Sequence, residues 1–285
     1  MNLEKTAVIA DTGCDIPADT ARELDIRMIP LHVSYPEKEY LDDIDIDPLM
    51  VYRRFPNEIP KTSMPSIQEI VDVYEGLKKE GYEKVIAVAI SSKFSGTYNV
   101  MRLAAEQIED MDIFVFDTKN ISCGSGIFAY WAARMLKEGW SFEKVTDGMQ
   151  KKIRDSHLMF YMDTLTYLKA GGRIGALGYL AGNLLNIKPI IACNEEGAYY
   201  SVAKCRGKKA VKARMITEIV EVSQGRHVWL AVMNGDNIPE SEDVIRTLKE
   251  LIPDSDLIYT KQIAATMAIN TGPGLIGILS FDPSL

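Results

Sequence analysis

Lys84-Val-Ile-Ala-Val-Ala-Ile90, followed at once by Ser91-Ser-Lys-Phe-Ser-Gly-Thr-Tyr-Asn99, reads as a buried strand that runs into a polar loop. A short, unbroken apolar run of this kind suits a strand covered on both faces. The loop leads into Tyr98–Gln107, whose spacing predicts a helix. The same succession opens the chain: Thr6–Asp11 predicts a strand, Asp11-Thr-Gly-Cys-Asp15 a turn, and Pro17–Leu24 a helix. Arg27–Tyr35 and the neighbourhood of Tyr40 read as extended on either side of the turn Pro36-Glu-Lys. Ile67–Glu80 places Ile67, Ile70, Val71, Tyr74 and Leu77 on one helical face. Asp112–Asp117 predicts another strand, and Ser125–Lys137 a long apolar helix. A further helix runs from Phe142 to about Ser156 with Ser141 as its N-cap. Strands alternating with helices predict βαβ units and a largely parallel sheet. Ligands of such sheets bind beyond the carboxyl ends of the strands, so Asp11–Asp15 and Ser91–Asn99 are expected on one edge.

The second half changes character after about Tyr161. Leu165–Gly182 reads as a helix interrupted by Gly171-Gly172, and Lys188–Asn194 with Tyr199–Cys205 reads as a hairpin around Glu195. A helix over Lys208–Val222, a strand over Val228–Asn234, a helix from about Glu240 to Leu251 and a strand near Leu257–Gln262 follow. Leu275–Phe281 closes the chain as one more strand. The expected fold class is α/β and two-lobed. An N-terminal α/β lobe spans 1–160, a second α/β lobe spans 161–285, and a ligand cleft lies between them.

The 285 residues are 47% hydrophobic and 25% charged, which is ordinary for a globular chain. A net charge of −8 argues against nucleic acid, which demands clustered Lys and Arg. No stretch approaches the ~20 apolar residues of a membrane-spanning helix. The start, Met-Asn-Leu-Glu-Lys-Thr, lacks the basic and apolar regions of a signal peptide. Cys14, Cys123, Cys193 and Cys205 form no paired motif, so reduced thiols in a cytoplasmic protein are the expectation. His32, His157 and His227 are not spaced with other ligands, and each reads as a core histidine in strand-like surroundings. Neither a metal nor a cofactor is expected.

Several catalytic patterns can be set aside. Gly124-Ser-Gly126 stands six residues beyond its strand, too far for a dinucleotide turn, and suits close helix packing instead. No phosphate-binding P-loop is present. Asp11 and Asp15 are separated by three residues, and Asp15 ahead of Ile16-Pro17 reads as a helix N-cap rather than a ligand. Cys14 has no partnered base, and Ser95 lies in no G-x-S-x-G elbow. Hydrolysis by Ser95 or chemistry at Asp11 on an acyl or phosphorylated metabolite stays open only as an alternative.

Four polar segments have no reading as core: Lys61-Thr-Ser-Met-Pro-Ser66, Ser91–Asn99, Tyr167-Leu-Lys-Ala-Gly-Gly-Arg-Ile-Gly175 and Asn270-Thr-Gly-Pro-Gly274. Hydroxyls and glycines let a backbone approach an anion and give it donors. Two hydroxyls and the Gly96 N–H could hold one carboxylate, each bond contributing ~1.5–3 kcal/mol. An apolar tail would contribute more, since ~15 buried methylenes give ~12 kcal/mol before the costs of association.

These segments, with Asp11-Thr-Gly-Cys-Asp15, resemble the signature stretches of the DegV family, in order and over essentially the whole chain. The resemblance implies a two-domain α/β protein holding one long-chain fatty acid between its lobes, with no catalysis of its own. It further implies, for some members, a role as the fatty-acid-binding subunit of a bacterial fatty acid kinase. A separate ATP-binding kinase subunit then phosphorylates the carboxylate. By that resemblance Thr62 and Ser95 contact the carboxylate, with Ser63 and the Gly96 amide nearby. Arg173, Asn270 and Thr271 form the partner-facing rim, where the Arg173 cation would stabilise phosphoryl charge. The family pattern has histidine ahead of Thr-Gly-Pro-Gly, whereas this chain has Asn270. Asparagine donates a hydrogen bond but carries no charge and shuttles no proton. A lipid sensor with a non-kinase partner is the remaining alternative.

Overall fold

The computed structural model describes residues 2–180 and 187–284. The chain begins with β1 (Thr6–Asp11), α1 (Ala18–Leu24), β2 (Ile26–Ile29), β3 (His32–Ser34), β4 (Glu39–Leu41), α2 (Pro48–Arg54) and β5 (Lys61–Ser63). It continues through α3 (Ile67–Lys79), β6 (Lys84–Ala89), α4 (Thr97–Ala105), β7 (Asp112–Asp117), α5 (Cys123–Lys137) and α6 (Phe142–Lys151). After a 3-10 turn come β8 (Ser156–Tyr161), α7 (Thr166–Ala170), β9 (Ile187–Cys193), β10 (Tyr199–Arg206) and α8 (Lys208–Ser223). β11 (Val228–Asn234), α9 (Ile238–Leu251), β12 (Ser255–Gln262), α10 (Ala265–Thr271) and β13 (Ile276–Phe281) complete it.

The first sheet has the order β2-β1-β6-β7 and is parallel throughout, as the alternating pattern requires. The second has the order β10-β9-β8-β13-β11-β12 and is mixed, with only β11 and β12 parallel. β8 belongs to this second sheet, so the change of sheet precedes the division expected at 160/161. The helix expected to reach Ser156 stops at Lys151, because Ser156–Tyr161 supplies strand side chains to the core of the other sheet. The interruption at Gly171-Gly172 is observed, with a 3-10 segment Gly175–Leu180 beyond it. The end of the expected Leu165–Gly182 stretch lies outside the described residues.

Helix α5 is the spine of the molecule. Every residue from Cys123 to Leu136 except Arg134 is buried, because the helix packs on β1 and β6 on one side and on β8 and β13 on the other. A helix apolar all round is what such a sandwiched position demands. Gly126 is bare because a Cβ there would overlap the Cys14 carbonyl oxygen, which confirms the close-packing reading.

Three elements escaped the sequence reading: α2, β5 and α10. The last is the consequential one, since Asn270 and Thr271, quoted from a polar segment, stand in its final turn. Its start is held by two buried carboxylates from the first half of the chain. Asp15 accepts from the Ala264 N–H at 2.6 Å and from the Ser122 hydroxyl, and faces Lys261 at 3.8 Å. Asp42 accepts from the Thr266 N–H at 3.3 Å, from the Thr266 hydroxyl and from Thr12 Oγ1 at 3.0 Å. Asp15 is therefore not the N-cap of α1; that position is Pro17, and Asp15 stands at φ 52 with its side chain turned inward. Ala265 and Ile269 pack with Val33 and Val51, while Met267 and Ala268 join the main core. Of the histidines, His227 departs from expectation, whereas His32 in β3 and His157 in β8 keep strand positions. His227 is exposed between Asp254 and Asp256, and His32 stands between Glu39 and Glu69.

Asp11 is buried beside the Asp15 and Asp42 carboxylates, accepting from the Ile90 N–H at 3.0 Å, and among the described residues no cation touches it. Burial pushes the Asp11 and Asp15 carboxyls up to about 7. Unfolded carboxyls titrate near ~4. Between those values the folded chain holds more protons than the unfolded one, so these groups make stability fall as pH rises through that window. Asp11→Asn should make the thermal midpoint less sensitive to pH between about 4 and 7, by on the order of 10 °C across the window at ~2–4 °C per kcal/mol. Thermal unfolding across that range decides it; slopes equal to wild type would show that Asp11 does not titrate there.

Candidate functional site

The loop after β6 is fastened at three points. Ile90 donates to Asp11, the Ser92 N–H donates to Asp117 Oδ1 at 3.2 Å, and the Ser91 hydroxyl donates to the Gly197 carbonyl at 2.9 Å. The last bond crosses to the β9–β10 hairpin. The two loops expected on one sheet edge are thus together. Ser95 and Gly96 stand at the start of α4, where Ser95 Oγ accepts the Thr97 N–H at 3.2 Å and lies 2.7 Å from Thr97 Oγ1. When Thr97 donates, the Ser95 O–H remains for another acceptor. Among the described residues no acceptor takes the Gly96 N–H.

Strand β5 pairs with β3 and brings Thr62 opposite Val33 and Ser63 opposite His32. Neither hydroxyl is hydrogen-bonded to another described residue, whereas Ser66 closes a capping box with Glu69 at the start of α3. Met64 lies over Gly96, where a Cβ would overlap its sulfur.

From the second lobe, Arg173 follows α7 and donates to the Gly171 carbonyl. Asn270 donates from Nδ2 to the Thr266 carbonyl at 3.0 Å, and Gly171 is bare because a Cβ would fall on Asn270 Oδ1. Thr271 Oγ1 donates to the Met267 carbonyl at 3.0 Å. Gly272, at φ +70, turns the chain off α10 against the Tyr167 ring, a conformation and a space that exclude a side chain.

All seven residues singled out from the sequence (Thr62, Ser63, Ser95, Gly96, Arg173, Asn270 and Thr271) line one cavity of ≈480 Å³. Arg173, expected on an outer rim, shares this cavity with Thr62 and Ser95. Lys93, Met64, Tyr199 and Met267 line it too and were missed. Lys93 lay within a quoted segment, but the reading there looked for neutral donors. Tyr199 gave no signal, because its place is set by stacking on Phe94 at 4.0 Å between ring centres. Through Ile121, Tyr199, Met267 and Thr271 the cavity meets a narrow inner compartment of ≈30 Å³. Leu158, Phe160, Met233, Ile263, Leu275 and Gly277 line the far side of this compartment. The arrangement is a chamber of mixed lining, with hydroxyls and two cations at its wall, opening inward onto apolar side chains.

The catalytic alternatives gain no support. Ser95 bonds to Thr97 and not to a base, Asp11 faces inward to Ile90, and burial holds the Cys14 thiol well above its ordinary range. Among the described residues there is no group of at least three His, Cys, Asp or Glu placed to hold a metal. No helix among them is long and apolar enough to cross a membrane.

The family model described as "Uncharacterised protein, DegV family" matches residues 5–282. A DegV domain-containing protein of Clostridium acetobutylicum is 37% identical over 98% of this chain and 99% of its own. The crystal structure of DegV, a fatty acid binding protein from Bacillus subtilis, superposes with a TM-score of 0.89 at 29% identity, covering 99% of both chains. A stearic-acid-binding protein from Eubacterium ventriosum does so with a TM-score of 0.89 at 26% identity, covering 98% of both. With a family match running almost from end to end and a shared fold, the chain belongs to the DegV family.

Proposed function

We propose that this protein binds a long-chain fatty acid and has no catalytic activity of its own. The observation that carries the reading is convergence: residues from four separate polar segments meet on one chamber, and its inner end is apolar. The carboxylate sits at the outer chamber, taking hydrogen bonds from Thr62 and Ser95, with Ser63 and the Gly96 N–H beside it. The tail runs past Tyr199 and Met267 into the inner compartment. That compartment is small, so Met233 and Met267 swing aside to admit the tail, which unbranched thioether side chains do readily. The solved relatives described as fatty-acid-binding proteins support the same ligand class.

We further propose that the bound carboxylate is presented to a separate ATP-binding kinase subunit and converted to an acyl phosphate. Arg173 lines the chamber and uses one N–H on Gly171, leaving donors for phosphoryl oxygens. Asn270 favours a second reading, a lipid sensor without transfer, because an amide that already donates to Thr266 supplies neither charge nor proton. A carrier and a sensor differ in one test: incubation with kinase, ATP and fatty acid yields acyl phosphate only for the carrier.

Organic extraction of purified protein followed by mass spectrometry should find about one fatty acid per chain. A preparation that is empty, and that binds no added fatty acid, would refute the reading. Thr62→Val and Ser95→Ala should each weaken binding by ~1–3 kcal/mol, the range for losing a hydrogen bond to a charged group. Titration with a fluorescent fatty acid measures this, and unchanged affinity in both would remove the two residues from the site. Arg173→Ala should change affinity by less than about threefold, under ~0.7 kcal/mol, while abolishing kinase-dependent acyl phosphate formation. A large loss of affinity would instead place the guanidinium on the carboxylate.

A further inference from the structure

The face of the six-stranded sheet that packs toward α5 carries rows of side chains across β8, β13 and β11. One row is Leu158, Leu279 and Ala231; the next is Phe160, Gly277 and Met233. Gly277 therefore leaves a notch in the middle of a buried apolar row, on a strand paired on both sides. Glycine weakens a strand interior, and there it marks a bulge, a bend or the close approach of another group. Neither register at Gly277 is broken, so there is no bulge. Its φ is outside the left-handed region, so the backbone does not demand glycine either. Space does not demand it: a Cβ would meet Phe160 Cβ at 3.5 Å, Leu158 Cδ1 at 3.7 Å and Met233 Cβ at 3.7 Å, all ordinary contacts. The close-approach reason remains.

The three side chains around that missing Cβ line the inner compartment, and so does Gly277. None of the four lines the outer chamber, so they stand at the far end from Thr62 and Ser95. We propose that Gly277 seats the distal end of the acyl tail and is the residue that sets the longest chain this protein accepts. The inference rests on the fatty-acid reading of the site. A side chain at 277 would project between Phe160 and Met233 into the space the last methylenes occupy. Long tails would be excluded and short ones left untouched, because the carboxylate end is formed by other strands. Met233, across the pair from Gly277, tunes the same end: shortening it deepens the notch.

The test is titration of wild type, Gly277→Val, Gly277→Ala and Met233→Ala with stearate and with decanoate. Valine suits a strand, and circular dichroism checks that the variant folds. Stearate affinity should fall at least about tenfold in Gly277→Val, as expected of overfilling a packed space, while decanoate affinity stays within about threefold. Gly277→Ala should lie between wild type and valine. Met233→Ala should move the stearate-to-decanoate ratio the opposite way. If Gly277→Val does not fold, the alanine pair decides, since the contacts at Gly277 admit a methyl group. Equal losses for both acids, or no loss for either, would overturn the role of Gly277 while leaving the site intact. Wild-type protein that binds neither acid would overturn the fatty-acid reading itself.

Discussion

Two carboxylates supplied by the first half of the chain, Asp15 and Asp42, hold the start of helix α10, and the binding chamber depends on that hold. A short helix without a side-chain N-cap has unsatisfied N–H groups at its beginning. Here Asp15 takes the amide of Ala264 and Asp42 takes that of Thr266, so carboxyl oxygens from one part of the fold satisfy the helix end of another. The same helix then delivers Met267, Asn270 and Thr271 to the chamber wall. Strand β5 and the loop after β6 deliver the opposite wall from the first half. If α10 moved, the chamber would lose one side.

The latch is a costly device, and the fold offsets its cost locally. Lys261 is partly buried beside Asp15 and Asp43, and Thr12 relays a hydrogen bond from the Leu31 N–H to Asp42. Buried charge survives when it is paired and fully hydrogen-bonded. Asp11, beside the latch, has neither a cation nor a hydroxyl bonded to it among the described residues, which is why it should respond most simply to pH. The large apolar stabilisation lies elsewhere, along α5, where the two sheets share one helix. A buried spine fixes the sheets relative to each other, and the polar latch fixes α10 relative to both.

Most of the parallel sheet was legible because each strand is a clean apolar run that ends in a glycine- or hydroxyl-rich turn. The residues that share the cavity were legible for the opposite reason: Thr62, Ser95 and Arg173 lie in polar stretches that no core packing explains. What stayed hidden was tertiary in origin. Ala265–Thr271 is too short to show a helical period, and it forms because Asp15 and Asp42, over two hundred residues away, take its N–H groups. Asp15 looked like a cap because Pro17 follows it, yet its backbone turns left-handed and sends the carboxylate inward. Gly277 gave no signal, since only strand register shows that it interrupts a row.

The most direct measurement is a crystal structure of the protein grown with stearate. One molecule per chain is expected, its carboxylate within hydrogen-bond distance of Thr62 and Ser95 and its terminal methyl against Gly277. Density for the acid lying elsewhere, such as the cavity between His157 and Cys193, or with its head and tail reversed, would contradict the proposed site.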